Sequence, residues 1–238
     1  MATDPGARPS RRSRDDSDAE PGKGTTRTVR RALALLGEVA EHDGIALTEA
    51  AQATGLSLST ATRLLNTLAE EGFVQRDGDR AYHAGGRLHQ IAVTAMTSTP
   101  LYRLATPHLE AMRDATGESA YLGVPGPGDT VLYARIADSL QPIRHANWLG
   151  RTVPVRGTAI GAALRDQCGS SGFVSTRYTV ETGVTAIAAT VHWPRGGVAA
   201  AISVVGPTYR ITDDDLTDIG ALIARHARDL TAQLAPGA

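Results

Sequence analysis

Gly55-Leu56-Ser57-Leu58-Ser59-Thr60-Ala61-Thr62-Arg63-Leu64-Leu65-Asn66-Thr67-Leu68 reads as a tight turn feeding a helix. Gly55 can adopt a backbone conformation that a Cβ penalises. Ser57 can cap the helix by accepting a backbone N–H from its first turn. Ala61, Leu64, Leu65 and Leu68 recur at i, i+3, i+4 and i+7, which makes one apolar face. The opposite face carries Ser59, Thr62, Arg63 and Asn66, with Thr60 alongside, and it has no carboxylate. Such a face suits a helix in the DNA major groove, where short hydroxyls let the backbone approach phosphates and an Arg reaches a guanine edge or a phosphate. Most polar helix faces are merely solvated, so the neighbouring sequence has to decide.

Upstream, Leu47–Ala53 predicts a short helix with Thr48 as its cap, and Thr54-Gly55-Leu56 joins it to the next helix, giving a helix-turn-helix. Downstream, Gly72-Phe73-Val74-Gln75-Arg76 and Asp79-Arg80-Ala81-Tyr82 flank Asp77-Gly78, a strong hairpin signal. A hairpin directly after the second helix is a wing, and Ile45-Ala46 can supply a short strand to pair with it. Residues 27–84 therefore predict a winged helix-turn-helix that binds double-stranded DNA. Its expected DNA contacts are Ser59, Thr60, Thr62, Arg63 and Asn66 on the helix and Arg76 and Arg80 on the wing. The alternative for Arg63 is a salt bridge to Glu70 or Glu71. A first helix is expected from about Arg27 to Glu41, with Val29, Leu33, Leu36 and Ala40 as its inner stripe, Val39 beside it, and Asp43-Gly44 as its stop. Arg30 and Arg31 near its start either clamp phosphates or form a solvated pair.

At 238 residues the chain suits one large domain or two small ones. The formal net charge of −1 means that DNA affinity must come from a local patch. One cysteine, Cys168, rules out an internal disulfide framework and Cys-rich zinc modules, and fits a reducing cytoplasm. No apolar run approaches the roughly 18 residues that span a bilayer, and no secretory signal is expected. Residues 1–26, rich in Pro, Gly, Ser, Asp and Arg, predict a disordered tail. Arg8, Arg11, Arg12 and Arg14 could touch the DNA backbone, but Asp15, Asp16, Asp18 and Glu20 follow directly, which favours a solvated tail.

Residues 85–99 predict a linker helix with Leu88, Ile91, Ala92 and Ala95 on its apolar side. A helix from Pro100 to about Thr116 follows, with Leu101, Leu104, Leu109 and Met112 inside, and Pro107 should kink or restart it. Beyond Ser119 the period changes. Strands are expected at Ser119–Val124, Thr130–Ala137, Gln141–Asn147, Thr185–Trp193 and Val198–Val205, with a small-residue helix at Gly157–Arg165. Thr212 should cap a last helix, with Asp213, Asp214 and Asp215 in its first turn. Residues 100–238 thus predict an α+β domain able to hold a small ligand.

Several stretches carry a family resemblance. They are Gly55–Leu65 with Leu68-Ala69-Glu70-Glu71-Gly72-Phe73, Tyr82-His83-Ala84-Gly85, Ala105-Thr106-Pro107-His108-Leu109, Thr116-Gly117-Glu118, Gly157-Thr158-Ala159-Ile160-Gly161 and Ile187-Ala188-Ala189-Thr190-Val191. In this order they resemble the IclR family of transcriptional regulators over about residues 27–235. The resemblance implies an N-terminal winged helix-turn-helix, a C-terminal GAF-like α/β sandwich that senses a small organic acid or amino-acid-like metabolite, and a homodimer or homotetramer. This sequence departs from the pattern in three places. Leu58 stands where the family often has Lys or Arg, which should remove a phosphate contact. Ala186 stands where a pocket cysteine is common. Only Arg165–Ser171 remains where the family usually places two further helices, so the effector domain is shortened.

The effector-binding residues expected are Arg144, Trp148, Arg156, Thr158, Ala159, Ala186 and Ser203. Free N–H groups at the start of the Gly157–Arg165 helix favour a carboxylate, and Thr158 adds a hydroxyl. Ala186 and Ser203 lie on strands that the family uses to line its pocket. Arg144, His145, Trp148, Arg151 and Arg156 cluster nearby in sequence, either as acid partners or as a surface charge cluster, and Trp148 reads more readily as a packing residue. Catalysis has little support. There is no Gly-x-Ser-x-Gly elbow, Gly123–Gly128 lacks the spacing of a nucleotide loop, and the histidines form no i, i+4 metal pair. Cys168 has no obvious base. No cofactor, metal or catalytic residue is expected. The reading is a DNA-binding regulator, a repressor by preference, at an inverted-repeat operator. The alternatives are a metabolite-insensitive regulator whose second domain only oligomerises and, last, an enzyme with a DNA-binding appendage.

Overall fold

The computed structural model describes residues 23–142, 144, 147–177 and 182–235. The chain divides into two compact units, with the division between Val93 and Thr94. In the first unit α1 (Lys23–Glu41), α2 (Leu47–Ala53) and α3 (Leu58–Glu70) precede the hairpin β1 (Val74–Arg76) and β2 (Tyr82–Ala84). α4 (Gly86–Ser98) then runs across the division. The basic and acidic residues expected in the tail, Arg8 to Glu20, lie outside the described residues.

α1 begins at Lys23, ahead of the expected start near Arg27. Its buried face is Leu35 and Val39, with Ala32 and Leu36 partly buried. Val29, Leu33 and Ala40, expected inside, are exposed. Leu33, Leu35 and Leu36 are all apolar, so periodicity offers two faces, and packing against α2, α3 and Tyr82 selects one. α2 is capped at Ala46, not Thr48: the Ala46 N–H donates to Glu49 Oε2 at 3.2 Å, so the carboxylate reaches back over the first turn. Gly55 has φ +65° in the turn. The Ser57 hydroxyl accepts the Thr60 N–H at 3.3 Å and caps α3 as expected. Ser57→Ala should cost about 0.5–2 kcal/mol, read as a lower urea midpoint for the helical signal of this unit.

β1 and β2 pair antiparallel with Gln75 opposite His83, and Ile45 bridges Tyr82 from the other side. The wing therefore forms with the expected third partner. Its connection is longer than Asp-Gly alone: Asp79, Arg80 and Ala81, expected on the return strand, belong to the turn. The Asp77 N–H donates to the Ala81 carbonyl, the Asp77 carboxylate accepts the Ala81 N–H at 2.9 Å, and Arg80 sits at φ +68°. α4 buries no residue, and Ile91 and Ala95 on its expected apolar side are exposed.

The second unit opens with α5 (Pro100–Thr116), a single helix through Pro107. The expected restart does not occur. The lost donor falls where Arg103 and Pro107 are both exposed, so water can solvate the orphaned carbonyl. Strands β3 (Ser119–Pro125), β4 (Thr130–Ala137), β5 (Thr152–Pro154), β6 (Val174–Arg177), β7 (Val184–His192) and β8 (Val198–Pro207) form one antiparallel sheet in the order β5-β4-β3-β8-β7-β6. Of the strand expected at Gln141–Asn147, the described residues 141, 142, 144 and 147 lie in no strand. Pro142 cannot donate to a ladder, and β5 takes the edge instead. β6 was not marked by periodicity: it has four half-buried residues and no alternation.

Period-2 alternation sorts the sheet residues onto two faces. Leu122, Ile187, Ala189, Val191, Ile202 and Val204 pack against α5 and α7 (Asp213–Gln233). Tyr121, Tyr133, Ala188, Ala201 and Val205 pack against the short α6 (Ala159–Leu164). Thr212 caps α7 through the Asp215 N–H, as expected.

Between α5 and α7, His108 Nδ1 lies 3.0 Å from His226 Nδ1, so one ring must donate and the other accept. Burial, then His108 and Arg225, push the His226 imidazole below its ordinary value, with Asp229 opposing. Neutral His226 is thus favoured in the fold. The unfolded chain takes up its proton first as pH falls below about 6.5, so stability should drop through that window and keep dropping until the native imidazole is also protonated. Urea midpoints at neutral and mildly acidic pH should differ more in the parent than in His226→Gln.

Candidate DNA-binding face and effector site

α3 turns Ala61, Leu64 and Leu65 into the first core and leaves Ser59, Arg63 and Asn66 exposed, with Thr60 and Thr62 half-buried. The hydroxyls at the helix start are linked: Ser57 Oγ lies 2.9 Å from Thr60 Oγ1 and 3.2 Å from Ser59 Oγ. The Thr62 hydroxyl donates to the Leu58 carbonyl at 2.8 Å, so toward solvent it offers an acceptor. Among the described residues Arg63 has no ion pair, so its alternative partners Glu70 and Glu71 do not hold it. Leu58, exposed at the start of the same helix, adds apolar surface there.

On the wing, the Arg76 guanidinium stands 5.5 Å over the Tyr82 ring, a cation–π contact that limits its motion. Arg80 projects from the turn. His83 Nε2 lies 2.8 Å from Asp77 Oδ2, and that hydrogen bond, followed by backbone donation from Ala81, holds the Asp77 carboxyl below the usual carboxylate range. The sequence reading missed this clamp, which fixes where Arg80 stands. An Asp at a turn start with a His six residues on was the available signal. The α3 face can donate through Arg63, Asn66 and the hydroxyls, and the exposed Arg76 and Arg80 put positive charge on the wing.

The effector candidates separate into two groups. Ala159 belongs to the α6 side of the sheet, with Ala186 and Trp148 packed against the same cluster. Ser203 joins them by register, opposite Ala188 on β7 and Tyr121 on β3. Its Oγ is fully buried and has no hydrogen-bond partner. Trp148 packs edge-on against Tyr133 at 6.0 Å, and Tyr133 lies 4.8 Å from Tyr121, whose phenol burial pushes upward in pKa. Thr158 caps α6, accepting the Gly161 N–H at 3.0 Å and donating to the Pro154 carbonyl at 2.8 Å, so its hydroxyl is already engaged. α6 has only six residues, so the carboxylate attraction expected at its start is that of a short helix. Arg144 is exposed, and the exposed Arg156 pairs with Asp129 at 3.7 Å, as Arg165 does at 2.7 Å. His145 lies outside the described residues.

Two family models match the chain in the order of its two units: the IclR helix-turn-helix domain over residues 28–78, and the bacterial transcriptional regulator IclR C-terminal domain over residues 166–232. The chain belongs to the IclR family. As an IclR-family protein it is a DNA-binding transcriptional regulator. The HTH-type transcriptional regulator BhcR of Paracoccus denitrificans is 28% identical over 90% of this chain and 89% of its own. The transcriptional repressor IclR of Escherichia coli is 28% identical over 94% and 96%. In fold, the chain matches an IclR homolog from Microbacterium hydrocarbonoxydans, solved in complex with 4-hydroxybenzoate, with TM-score 0.72 at 18% identity, over 87% of this chain and 98% of that one. These relatives are regulators, not enzymes. Among the described residues of this IclR-family chain, no group of three or more His, Cys, Asp or Glu could hold a metal ion. No helix among them is long and apolar enough to cross a membrane.

Proposed function

We propose that this regulator is a cytoplasmic repressor released from its operator by a small organic carboxylate or amino-acid-like metabolite. Residues 27–84 act as the winged helix-turn-helix, 85–99 as linker and 100–238 as a GAF-like effector and oligomerisation domain. Ser59, Thr60, Thr62, Arg63 and Asn66 enter the major groove, and Arg76 and Arg80 lie along the backbone. Two copies in a homodimer, or within a homotetramer, read half-sites about 34–36 Å apart or a multiple of that, so the operator is an inverted repeat. The observation that carries the effector claim is the buried, unpartnered Ser203 Oγ on the sheet face beneath α6. A buried hydroxyl without a partner is costly, and a ligand oxygen would satisfy it. Repression and a carboxylate effector are also supported by the E. coli repressor and the 4-hydroxybenzoate complex.

A second reading, metabolite-insensitive DNA binding, draws on the Tyr121–Tyr133–Trp148 stack, which packs on that face. Thermal-shift screening of organic acids and amino acids, repeated on Ser203→Leu, separates the two. A compound that stabilises the parent but not the variant, and weakens operator binding, supports the effector. No stabilisation by any of them leaves the second reading.

A further inference from the structure

A cavity of about 550 Å³ opens in the second unit between the Asp166–Gly172 turn, the end of β7 and the later turns of α7. The topology creates it. β6 pairs with β7 only from Thr185 to Ala188, so Ala189–His192 has no strand on that edge, and the short 165–173 connection covers it incompletely. Ala224, Ala227 and Ala232 of α7 make a wall of small side chains. Most polar groups of the lining are satisfied internally. The Thr190 hydroxyl donates to the Ala163 carbonyl at 2.7 Å and lies 3.3 Å from Cys168 Sγ. His192 Nε2 is 3.1 Å from Asp166 Oδ1, and the His192 N–H donates to Thr231 Oγ1 at 3.1 Å. Arg228 differs: it lines the cavity from an exposed position, and its side chain makes no hydrogen bond or ion pair among the described residues. Its Nη1 stands 3.7 Å from where a Cβ on Gly172 would be, so the guanidinium lies toward the turn that forms the opposite wall.

We infer that this cavity binds a small organic monocarboxylate, with its acid group on Arg228 and its body against Ala224, Ala227 and Thr190. The volume falls within the roughly 300–1,000 Å³ of small-molecule sites. A guanidinium fork matches a carboxylate in two parallel hydrogen bonds. The Asp166 carboxylate on the same lining disfavours a second negative charge, which selects a monoanion over a phosphate. The alanine wall suits an apolar body. Ser203 does not line this cavity, although Cys168 belongs to the cluster on the Ser203 face, and the inference does not rest on the effector reading.

Cys168 is the chain's one cysteine and is buried, with the cavity as its approach, so the slow alkylation that the cavity admits reports occupancy. The test measures iodoacetamide labelling of the full chain by mass, without ligand and with benzoate, lactate or inorganic phosphate, each variant against its own unliganded rate. Calorimetric titration of the same three compounds gives a second readout that does not need the thiol. Benzoate or lactate should slow labelling about tenfold at ten times its dissociation constant and release or absorb heat. Both effects should vanish in Arg228→Gln and persist in Ser203→Leu. Binding that survives Arg228→Gln, binding lost only in Ser203→Leu, phosphate outcompeting both carboxylates, or silence of both readouts overturns the inference.

Discussion

Arg210→Ala is expected to destabilise the second unit by about 3–5 kcal/mol, the cost of stranding a buried charge. Arg210 donates from Nη2 to Glu118 Oε2 at 2.9 Å and from Nε to Oε1, a two-point grip on one carboxylate. The Glu118 side chain is only 4% exposed, whereas Arg210 is 25% exposed. Removing the arginine therefore leaves the carboxylate without water, and removing the glutamate leaves a cation that can still reach it. Glu118→Gln should accordingly cost less than Arg210→Ala. The fold is built around this carboxylate: a Cβ on Gly206 would stand 2.6 Å from Glu118 Cδ, so only glycine leaves room beside it. Urea unfolding of the two variants measures the order. A loss below about 1 kcal/mol for Arg210→Ala, the range of surface pairs, would mean that the carboxylate finds solvent and the grip is incidental.

Arg63→Ala is expected to weaken operator binding by about 1–3 kcal/mol, roughly 5- to 150-fold, if the guanidinium makes a bidentate base contact. Because Arg63 is exposed and has no ion pair among the described residues, the same variant should unfold at the parent's urea midpoint. That combination distinguishes a recognition contact from a structural one. Substituting each base in the half-site should then show relaxed preference at one position. If affinity falls equally on all sequences and the salt dependence becomes shallower, Arg63 contacts a phosphate instead. Unchanged affinity in a titration removes it from the interface.

The first unit was largely legible in the sequence because its signals are local. A capping serine, a glycine turn and a four-position apolar stripe define α3 without reference to anything distant. The errors arose where a local signal had two solutions. Leu33 and Leu35 both fit a helical face, and only the three-helix core chose Leu35. Asp77-Gly78 announced a hairpin, but the side-chain bonds of Asp77 to Ala81 and His83 set its length. In the second unit β6 and β5 were missed because strands of three or four residues carry no measurable alternation. Gln141–Asn147 looked extended only because nothing in it demanded a helix. The effector candidates scattered for a related reason. Nearness in sequence gathered Arg144 and Arg156 with Trp148, whereas sheet register brings Ser203 and Ala186 onto one face and leaves both arginines at the surface.

Sequence-specific regulation is tested most directly by incubating the purified protein with fragmented genomic DNA, recovering the bound fragments and sequencing them. A few discrete peaks that share an inverted repeat, still recovered at moderate salt, are the expected result. Uniform weak enrichment that disappears as salt rises would reveal phosphate attraction alone and would contradict operator recognition by α3 and the wing.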